Sequence, residues 1–378
     1  MAHAYTPGLR VTRSTVLQKE RILPLKGNVI VNKGDILSSD VVVAQTELPG
    51  SVFVLKNVVN QLGCDPDEIY DYMTKKEGEK VQKGETIAEN KPFLGLKFLK
   101  TKITSPVDGS IEKISEITGQ ILFREPPVPV QIVAYVDGKV IEIIPNEGVI
   151  METSATFIQG IFGVGGETWG ELMVVADKPT DILSADKITP EVKGKIIVGG
   201  SLMTYEAFEA AKKNGAKGII SGGLNDADLR KLLGYDIGVA ITGSEKLGLS
   251  IVVTEGFGDI AMADKSFRLL KERNGHKASI NGSTQIRAGV IRPEIVIPWD
   301  WDTEVSKETT DAERGGMSIG DPIRIIRAPF FGMIGEVTEL PSELHVVESE
   351  TKVRVLKVKF KDGKEFVVPR ANVEIIED

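Results

Sequence analysis

The sequence predicts a multidomain protein in which β-rich regions lie on either side of a central α/β domain. Three observations support this fold class. The chain has 378 residues, enough for two or three domains of roughly 100–150 residues each. Glycine accounts for 39 of the 378 residues, which is more than the usual share of ~7%. This excess indicates many tight turns between short strands. Strands alternate with helices only between residues 185 and 298, where we expect helices flanking a mainly parallel sheet.

Composition restricts the class of protein further. Apolar residues make up 41% and charged residues 26% of the chain, which is typical of a protein with a buried core. No window approaches the ~18 consecutive apolar residues of a membrane span, and the first residues lack the pattern of a signal peptide. A single cysteine, Cys64, excludes an intramolecular disulfide framework and fits a reducing compartment. We therefore expect a cytoplasmic protein with no membrane contact.

Charge and rare residues bear on function. The chain has 46 basic and 54 acidic residues, a net charge of −8, so its overall field does not attract nucleic acid, although a local basic strip could. His3, His276 and His345 lie far apart and lack the spacing of metal ligands. No nucleophile elbow and no Walker loop occurs. We expect no catalytic set, no metal and no cofactor, which leaves the question of enzyme activity open but favours a non-enzymatic protein.

The first region, residues 1–184, is predicted to be rich in β-structure. Short apolar runs at 29–31 and 41–44 flank a turn, Lys33-Gly34-Asp35. Residues 76–90 echo residues 30–44, which predicts an internal repeat of one β-unit. A helical insertion is expected near residues 51–74, where Pro66 stands at the first position of a helix.

Two motifs in this region carry a family resemblance. Residues 78–89 read Gly-Glu-Lys-Val-Gln-Lys-Gly-Glu-Thr-Ile-Ala-Glu, and residues 103–111 read Ile-Thr-Ser-Pro-Val-Asp-Gly-Ser-Ile. The order resembles the biotinyl/lipoyl-type barrel-sandwich fold over residues 25–145. That family carries a modified lysine on a hairpin tip, where this chain has Phe98, with Lys97 beside it but without the flanking residues. The resemblance therefore implies an unmodified docking or structural module.

Two glycine-containing segments close the first region. Asp137-Gly138 between alternating strands predicts a β-hairpin. Residues 160–170 are dense in glycine, but a strand follows them where a phosphate-binding loop needs a helix. We expect a tight hairpin or an inter-domain corner there, with Glu167 and Trp169 as possible walls of a small-molecule cleft.

The central α/β domain, residues 185–298, offers a weak candidate ligand site. Ligands of open α/β sheets bind at the carboxyl ends of the strands. Two predicted strands end in glycine pairs before helices, and Asn225 is the expected N-cap of the second helix. The alternative is that these glycines only form tight turns. Residues expected on this edge are Gly200, Ser201, Gly222, Gly223, Asn225, Thr242 and Glu245.

A linker is predicted at residues 299–318, followed by a small β-domain at 319–378. Residues 319–337 contain Gly320-Asp321, a Pro-Phe-Phe-Gly turn at 329–332 and Gly335 before a strand. This pattern resembles the KOW motif of SH3-like barrels in ribosomal proteins and in transcription elongation factors of the NusG type. The closing strand of such a barrel fits residues 366–376. The resemblance implies a domain that binds RNA, ribosomal proteins, RNA polymerase or other proteins.

Basic residues cluster in this last domain. Alternation, with a shift at Leu356, predicts that they form one basic strip along a strand, and the alternative is a solvated face whose lysines block edge pairing. Phe330 and Phe331 are either core or an exposed stacking platform. The candidate partner-binding residues are Arg324, Arg327, Phe330, Phe331, Lys352, Arg354, Lys357, Lys359 and Lys361.

These observations predict a non-enzymatic modular docking protein. Its partner is expected to be the transcription or translation machinery (RNA polymerase or the ribosome) or an RNA-containing assembly, bound through the KOW-like domain. Two alternatives stay open. One is a small-molecule-binding subunit of an enzyme complex that uses the central domain, and the other is a self-assembling structural protein, hence a homo-oligomer.

Overall fold

The structure, a computed structural model, shows a β-rich chain, which confirms that part of the predicted fold class. It describes residues 9–90, 101–234, 242–243, 245–285, 291–300, 317–325, 330, 333–341, 343–346, 352–360 and 362–375. Six residues named above, His3, Lys97, Phe98, Arg327, Phe331 and Lys361, lie outside these ranges, as do residues 301–316 of the predicted linker.

The described part of the first 133 residues contributes eleven strands, and all of them except β1 and β3 belong to three small sheets. The strands are β1 Val11–Ile22, β2 Asn28–Val29, β3 Ile36–Leu37, β4 Val42–Leu48, β5 Val52–Leu55, β6 Lys80–Val81, β7 Thr86–Glu89, β8 Lys102–Thr104, β9 Gly109–Ile114, β10 Ile121–Arg124 and β11 Val128–Val133. The orders are β5-β10-β9-β6, β11-β4-β2 and β7-β8. Helices α1 (Val58–Leu62) and α2 (Ile69–Tyr72) pack on the core of the first and third sheets.

One four-residue turn recurs in this region and again near the C-terminus. In residues 32–35 the Asp35 carboxylate accepts the N–H of Asn32, and Gly34 has φ +97°. Residues 82–85 and 318–321 repeat the arrangement, with distances between 2.6 and 2.9 Å for the bond to the carboxylate. Glycine occupies the third position because the left-handed backbone there is costly for other residues. The bonds that close the turn are local, and the N–H of its glycine donates to a distant carbonyl in all three cases.

A second group of strands forms the largest sheet. These strands are β12 Gly138–Ile144, β13 Gly148–Gln159, β14 Phe162–Val164, β15 Glu167–Val174, β16 Ile196–Val198, β17 Leu202–Met203, β18 Gly218–Leu224, β19 Ser250–Phe257, β20 Lys277–Asn281 and β21 Glu294–Pro298. The order is β14-β19-β18-β16-β15-β20-β21-β13-β12-β3, with β1 on β13 and β17 on β18. Strands β15, β16, β18 and β19 run parallel to one another. Strands from both sides of residue 184 share this sheet, so no break between sheets marks the predicted domain boundary. The division at residue 184 stays a prediction.

Helices cover the parallel part of this sheet. They are α3 Tyr205–Lys213, α4 Asp226–Leu233 and α5 Asp264–Glu272. Thr204 begins α3, and its hydroxyl accepts the N–H of Ala207 at 3.2 Å. Phe208 of α3 packs in one core and Phe267 of α5 in the other, so the sheet is buried by helices on two faces. No helix in the described ranges combines the length and the apolar composition that crossing a membrane requires.

The predicted hairpin at Asp137-Gly138 is wrong. Strand β11 pairs with β4, whereas β12 pairs with β13 and β3, so the two strands belong to different sheets. Tyr135, with φ +69°, turns the chain from one sheet to the other. The Asp137 carboxylate then accepts the N–H of Ser39 and the Lys277 ammonium, both at 2.7 Å. These long-range contacts replace the local turn.

The last residues form an antiparallel half-barrel. Its strands are β22 Pro322–Ile325, β23 Ile334–Glu339, β24 Leu344–Val346, β25 Lys352–Phe360, β26 Glu365–Pro369 and β27 Val373–Ile375. Their order is β24-β25-β23-β22-β27, with β26 on β25. Alternate residues of the strands, among them Ile323, Val337, Leu356 and Val358, form its core.

Candidate functional site: the surface of the C-terminal half-barrel

The predicted basic residues of β25 lie on two faces of the strand. The register between β25 and β26 is unbroken, so alternate side chains keep to opposite faces. Lys352 and Arg354 therefore share the parity of core residue Leu356, whereas Lys357 and Lys359 lie on the other face. The predicted shift at Leu356 is visible in burial, because Val355 and Leu356 are both buried and the exposed positions change parity there, although the pairing of Val355–Lys359 with β26 has no irregularity. The four cations do not form one continuous strip.

Acidic side chains neutralise one of these two faces. The Lys357 ammonium lies 3.0 Å from Glu365 and 3.2 Å from Glu339, and these hydrogen bonds raise the pKa of Lys357. Lys359 lies between Glu336 and Glu365 in the strand register. Cross-strand pairs of opposite charge keep this face polar and exposed to water. They also leave little net positive charge to attract phosphate. This face fits the alternative of a solvated strand.

The other end of β25 keeps its positive charge. Lys352 and Arg354 are exposed, and within the described ranges neither forms an ion pair. Strand β24 lies beside them, with Leu344 opposite Arg354 and His345 next in register. The Leu344 side chain is 56% exposed. We call Leu344, Lys352 and Arg354 the β24–β25 patch.

Arg324 is not part of any surface. Its guanidinium is buried and donates to Glu255 of β19 and to Glu374 of β27, the latter at 3.3 Å. Glu374 also lies 2.6 Å from Arg292, and Glu255 accepts the N–H of Ala263 at 3.0 Å, just before α5. The prediction that Arg324 contacts a partner is therefore not retained, because its guanidinium is buried and paired with two carboxylates of the same chain.

Phe330 belongs to an aromatic cluster. Its ring centroid lies 4.6 Å from that of Phe366 and 5.7 Å from that of Phe360, with tilted planes. Such geometry stabilises packed aromatic pairs. Of the two alternatives for Phe330, the structure places it at the edge of the half-barrel core rather than on a free stacking platform.

The predicted ligand site at the glycine pairs has no room for a ligand. Gly200, Ser201, Gly222 and Gly223 do come together at the carboxyl ends of β16 and β18. A Cβ on Gly200 would lie 2.5 Å from two backbone oxygens, and one on Gly222 or Gly223 would collide with the backbone of residues 258–262. Loops fill the crevice, and the glycines permit that close approach. Asn225 begins α4, as predicted, but its side chain makes no capping hydrogen bond.

Thr242 and Glu245 lie at the opposite edge, so their predicted place beside the glycine pairs is wrong. The Glu245 carboxylate accepts the N–H groups of Gly165 and Gly243, at 3.0 and 2.7 Å. The Thr242 hydroxyl donates to the Gly163 carbonyl at 2.8 Å. Gly165 packs against the residues that begin β19, which is the amino end of the parallel strands. Both side chains hold the glycine-dense segment in place.

A polar cleft elsewhere was only partly foreseen from the sequence. Its volume is about 540 Å³, and it is lined by Glu20, Arg21, Ile22, Gln131, Ile132, Val133 and Glu167. Glu167 was a predicted cleft residue, but Trp169 is not in the lining. The Arg21 guanidinium donates to both carboxylate oxygens of Glu167, at 2.7 and 2.6 Å, and to the Val133 carbonyl at 2.9 Å.

Tyr135 lies beneath Arg21, with its ring 5.2 Å from the guanidinium carbon. It is a buried aromatic residue in the left-handed backbone region, a conformation that bulky residues rarely adopt. Its hydroxyl donates to Glu294, which also accepts the Lys19 ammonium at 2.5 Å. Burial raises the pKa of Tyr135 well above its usual value. The side chains around Tyr135 and Arg21 come from four strands that are far apart in the sequence. No local sequence pattern could therefore reveal this cluster.

Within the described ranges, no three His, Cys, Asp or Glu side chains are arranged to hold a metal ion. Comparison of the chain with protein-family models gave no match, and neither did comparison with curated proteins.

Proposed function

We propose that this chain is a non-enzymatic docking protein that binds an acidic partner through its C-terminal half-barrel. The observation that carries the proposal is the β24–β25 patch, a cationic and partly apolar surface whose cations have no acidic partner among the described residues. The resemblance of residues 319–337 to the KOW motif adds a class of partner, the transcription or translation machinery or an RNA-containing assembly.

The physical basis is local charge on an acidic chain. With a net charge of −8, the whole protein repels polyanions, so a contact with one needs a patch where cations are not neutralised. Within the part of the chain that the structure describes, Lys352 and Arg354 have no acidic partner, whereas Lys357 and Lys359 lie among glutamates. Leu344, 56% exposed and opposite Arg354, adds apolar area beside the cations, and burial of apolar area favours association.

The test is affinity capture of the tagged protein from its own cells, with and without nuclease, followed by mass spectrometry. The double variant K352E/R354E should lose the ribosomal or polymerase subunits that the wild-type chain retains. The matched control is K213E/K246E, which makes the same change in net charge at two exposed lysines elsewhere. Loss of binding only after nuclease treatment would assign the contact to RNA or DNA. Equal capture by K352E/R354E and the control would refute the proposal.

The cleft over Tyr135 supports a second candidate, a small-molecule-binding subunit. Arg21 and Glu167 form a pre-organised charged wall, and strained backbone beside such a cleft is typical of binding sites. A thermal-shift screen of charged metabolites should then reveal stabilisation that E167Q abolishes. A screen without any stabilising compound would count against this candidate and leave the docking proposal untouched.

A further inference from the structure

The polar cleft over Tyr135 follows the edges of two strands. Residues 20–22 of β1 and residues 131–133 of β11 line it. Because successive side chains of a strand point to opposite faces, three in a row line one cleft where it runs along the edge of the strand. Among the described residues, β1 pairs only with β13 and β11 only with β4. The unpaired edges therefore present backbone carbonyl groups, which are hydrogen-bond acceptors, to the cleft.

Among the described residues that line the cleft, Arg21 is the one cation, and its charge is already balanced. It donates two hydrogen bonds to Glu167 and one to the Val133 carbonyl. Its guanidinium carbon also lies 5.2 Å from the Tyr135 ring, and its side chain is 13% exposed. An anion in the cleft would have to compete with Glu167 for this guanidinium.

Glu20 leaves a negative charge in the cleft without a partner. Its side chain is exposed, and within the described ranges its carboxylate has neither an ion pair nor a hydrogen bond. Lys19 and Glu294, which belong to the cluster around Tyr135, pair with each other at 2.5 Å. The lining thus has two carboxylates against one guanidinium, a net charge of −1.

An apolar wall lies beside these polar groups. Ile22 is 37% exposed, and Ile132 and Val133 are half-buried. The cleft volume of about 540 Å³ falls within the range of ligand sites, roughly 300–1,000 Å³. A ligand that suits this lining combines a cationic hydrogen-bond donor with an aliphatic body.

We infer that the cleft binds a small aliphatic amine. Its ammonium donates to Glu20 and to backbone carbonyl groups, and its hydrocarbon part lies against Ile22 and Ile132. An ammonium has three donors and no acceptor, so it matches a lining in which carboxylate and carbonyl oxygens are unpaired. The inference rests on the second candidate function above, a small-molecule-binding subunit, and names the class of its ligand.

The test is a titration of the full chain, with isoleucine δ1-methyl groups labelled for NMR. Pentylamine, pentanoate and pentanol serve as probes, because they share one hydrocarbon chain and differ in the charge of the head group. Pentylamine should shift the methyl signals of Ile22 and Ile132 in a saturable way, with pentanol weaker and pentanoate weakest. Added salt should weaken the binding of pentylamine, since the carboxylate that it meets is exposed.

Substitutions assign the charge to Glu20. E20Q should weaken pentylamine binding by roughly two- to five-fold at low salt, as expected for an exposed ion pair, and E20K should abolish the preference for the amine. The matched control is E209Q, which removes an exposed carboxylate from α3 and should bind pentylamine like the wild type. Methyl signals outside the cleft that stay in place verify that each variant is folded.

The outcomes separate this inference from the candidate function on which it rests. Saturable shifts with pentanoate but not with pentylamine would overturn the amine class and keep the cleft as a binding site. The absence of shifts with all three probes would overturn the inference, and the screen of charged metabolites would then decide the candidate function by itself. Equal binding of pentylamine by E20Q, E20K and E209Q would also overturn it.

Discussion

Arg324 of β22 donates a hydrogen bond to Glu255 of β19, and both side chains are buried. The pair joins the C-terminal half-barrel to the parallel part of the large sheet. Glu374 and Arg292 extend it to two carboxylates and two guanidinium groups, so the buried charges balance. A network of this kind contributes little net stability when complete, but it is costly to break because an unpaired charge stays buried.

The first prediction concerns this network. E255Q leaves Arg324 with one carboxylate less, and we expect the free energy of unfolding to fall by about 3–5 kcal/mol. Urea denaturation measures the change. E339Q breaks an exposed ion pair with Lys357 and should cost less than about 1 kcal/mol. If E255Q and E339Q lowered the free energy of unfolding equally, the buried network would be no more costly to break than an exposed ion pair.

The second prediction separates the two faces of β25. K357Q removes a cation that Glu365 and Glu339 already neutralise, so partner capture should persist. The stability cost should be small, since the ion pairs are at the surface and solvent screens them. If K357Q lost the partner and K352E/R354E retained it, the binding surface would be at Lys357, and the proposal that the β24–β25 patch binds the partner would be contradicted.

The third prediction is that the glycine pairs are structural. G223A adds a methyl group that collides with the Gly258 carbonyl, and overpacking of this kind costs about 1–3 kcal/mol. Thermal unfolding of G223A should show the loss. The control G166A has a nearest contact of 3.1 Å and should be milder. A stable G223A chain would mean that the loops over the glycine pairs yield easily and that a ligand could enter.

The fourth prediction concerns acid stability. The Ile114 N–H and the Tyr70 hydroxyl both donate to Glu77, at 2.7 and 3.0 Å, and these bonds lower the pKa of Glu77 below its usual value of 4.5. A lowered pKa in the folded state stabilises the fold above the unfolded value, and that contribution is lost as the pH falls through the folded value.

Wild type should therefore be more stable than E77Q at pH 7, and the difference should shrink below pH ~4.5. Denaturation at several pH values measures it. A difference that grows toward acid pH would contradict the assignment of Glu77 as the ionised acceptor.

Local features were within reach of the sequence alone. The turns at 32–35 and 82–85, the start of α3 and α4 and the abundance of short strands depend on bonds between residues close in the chain. A glycine, which can adopt positive φ, and an acidic residue beside it favour such a turn.

The site depended on contacts that no local pattern encodes. Arg324 is buried because Glu255, from another sheet, meets it, and Lys357 is neutralised because β23 and β26 bring glutamates beside it. Asp137-Gly138 fails to form a hairpin because Ser39 and Lys277 hold the aspartate instead. Sequence alone determined a β-rich chain and its turns. Strand register and the charges facing each strand were decided by the tertiary structure, because they depend on residues that meet only when distant segments pair.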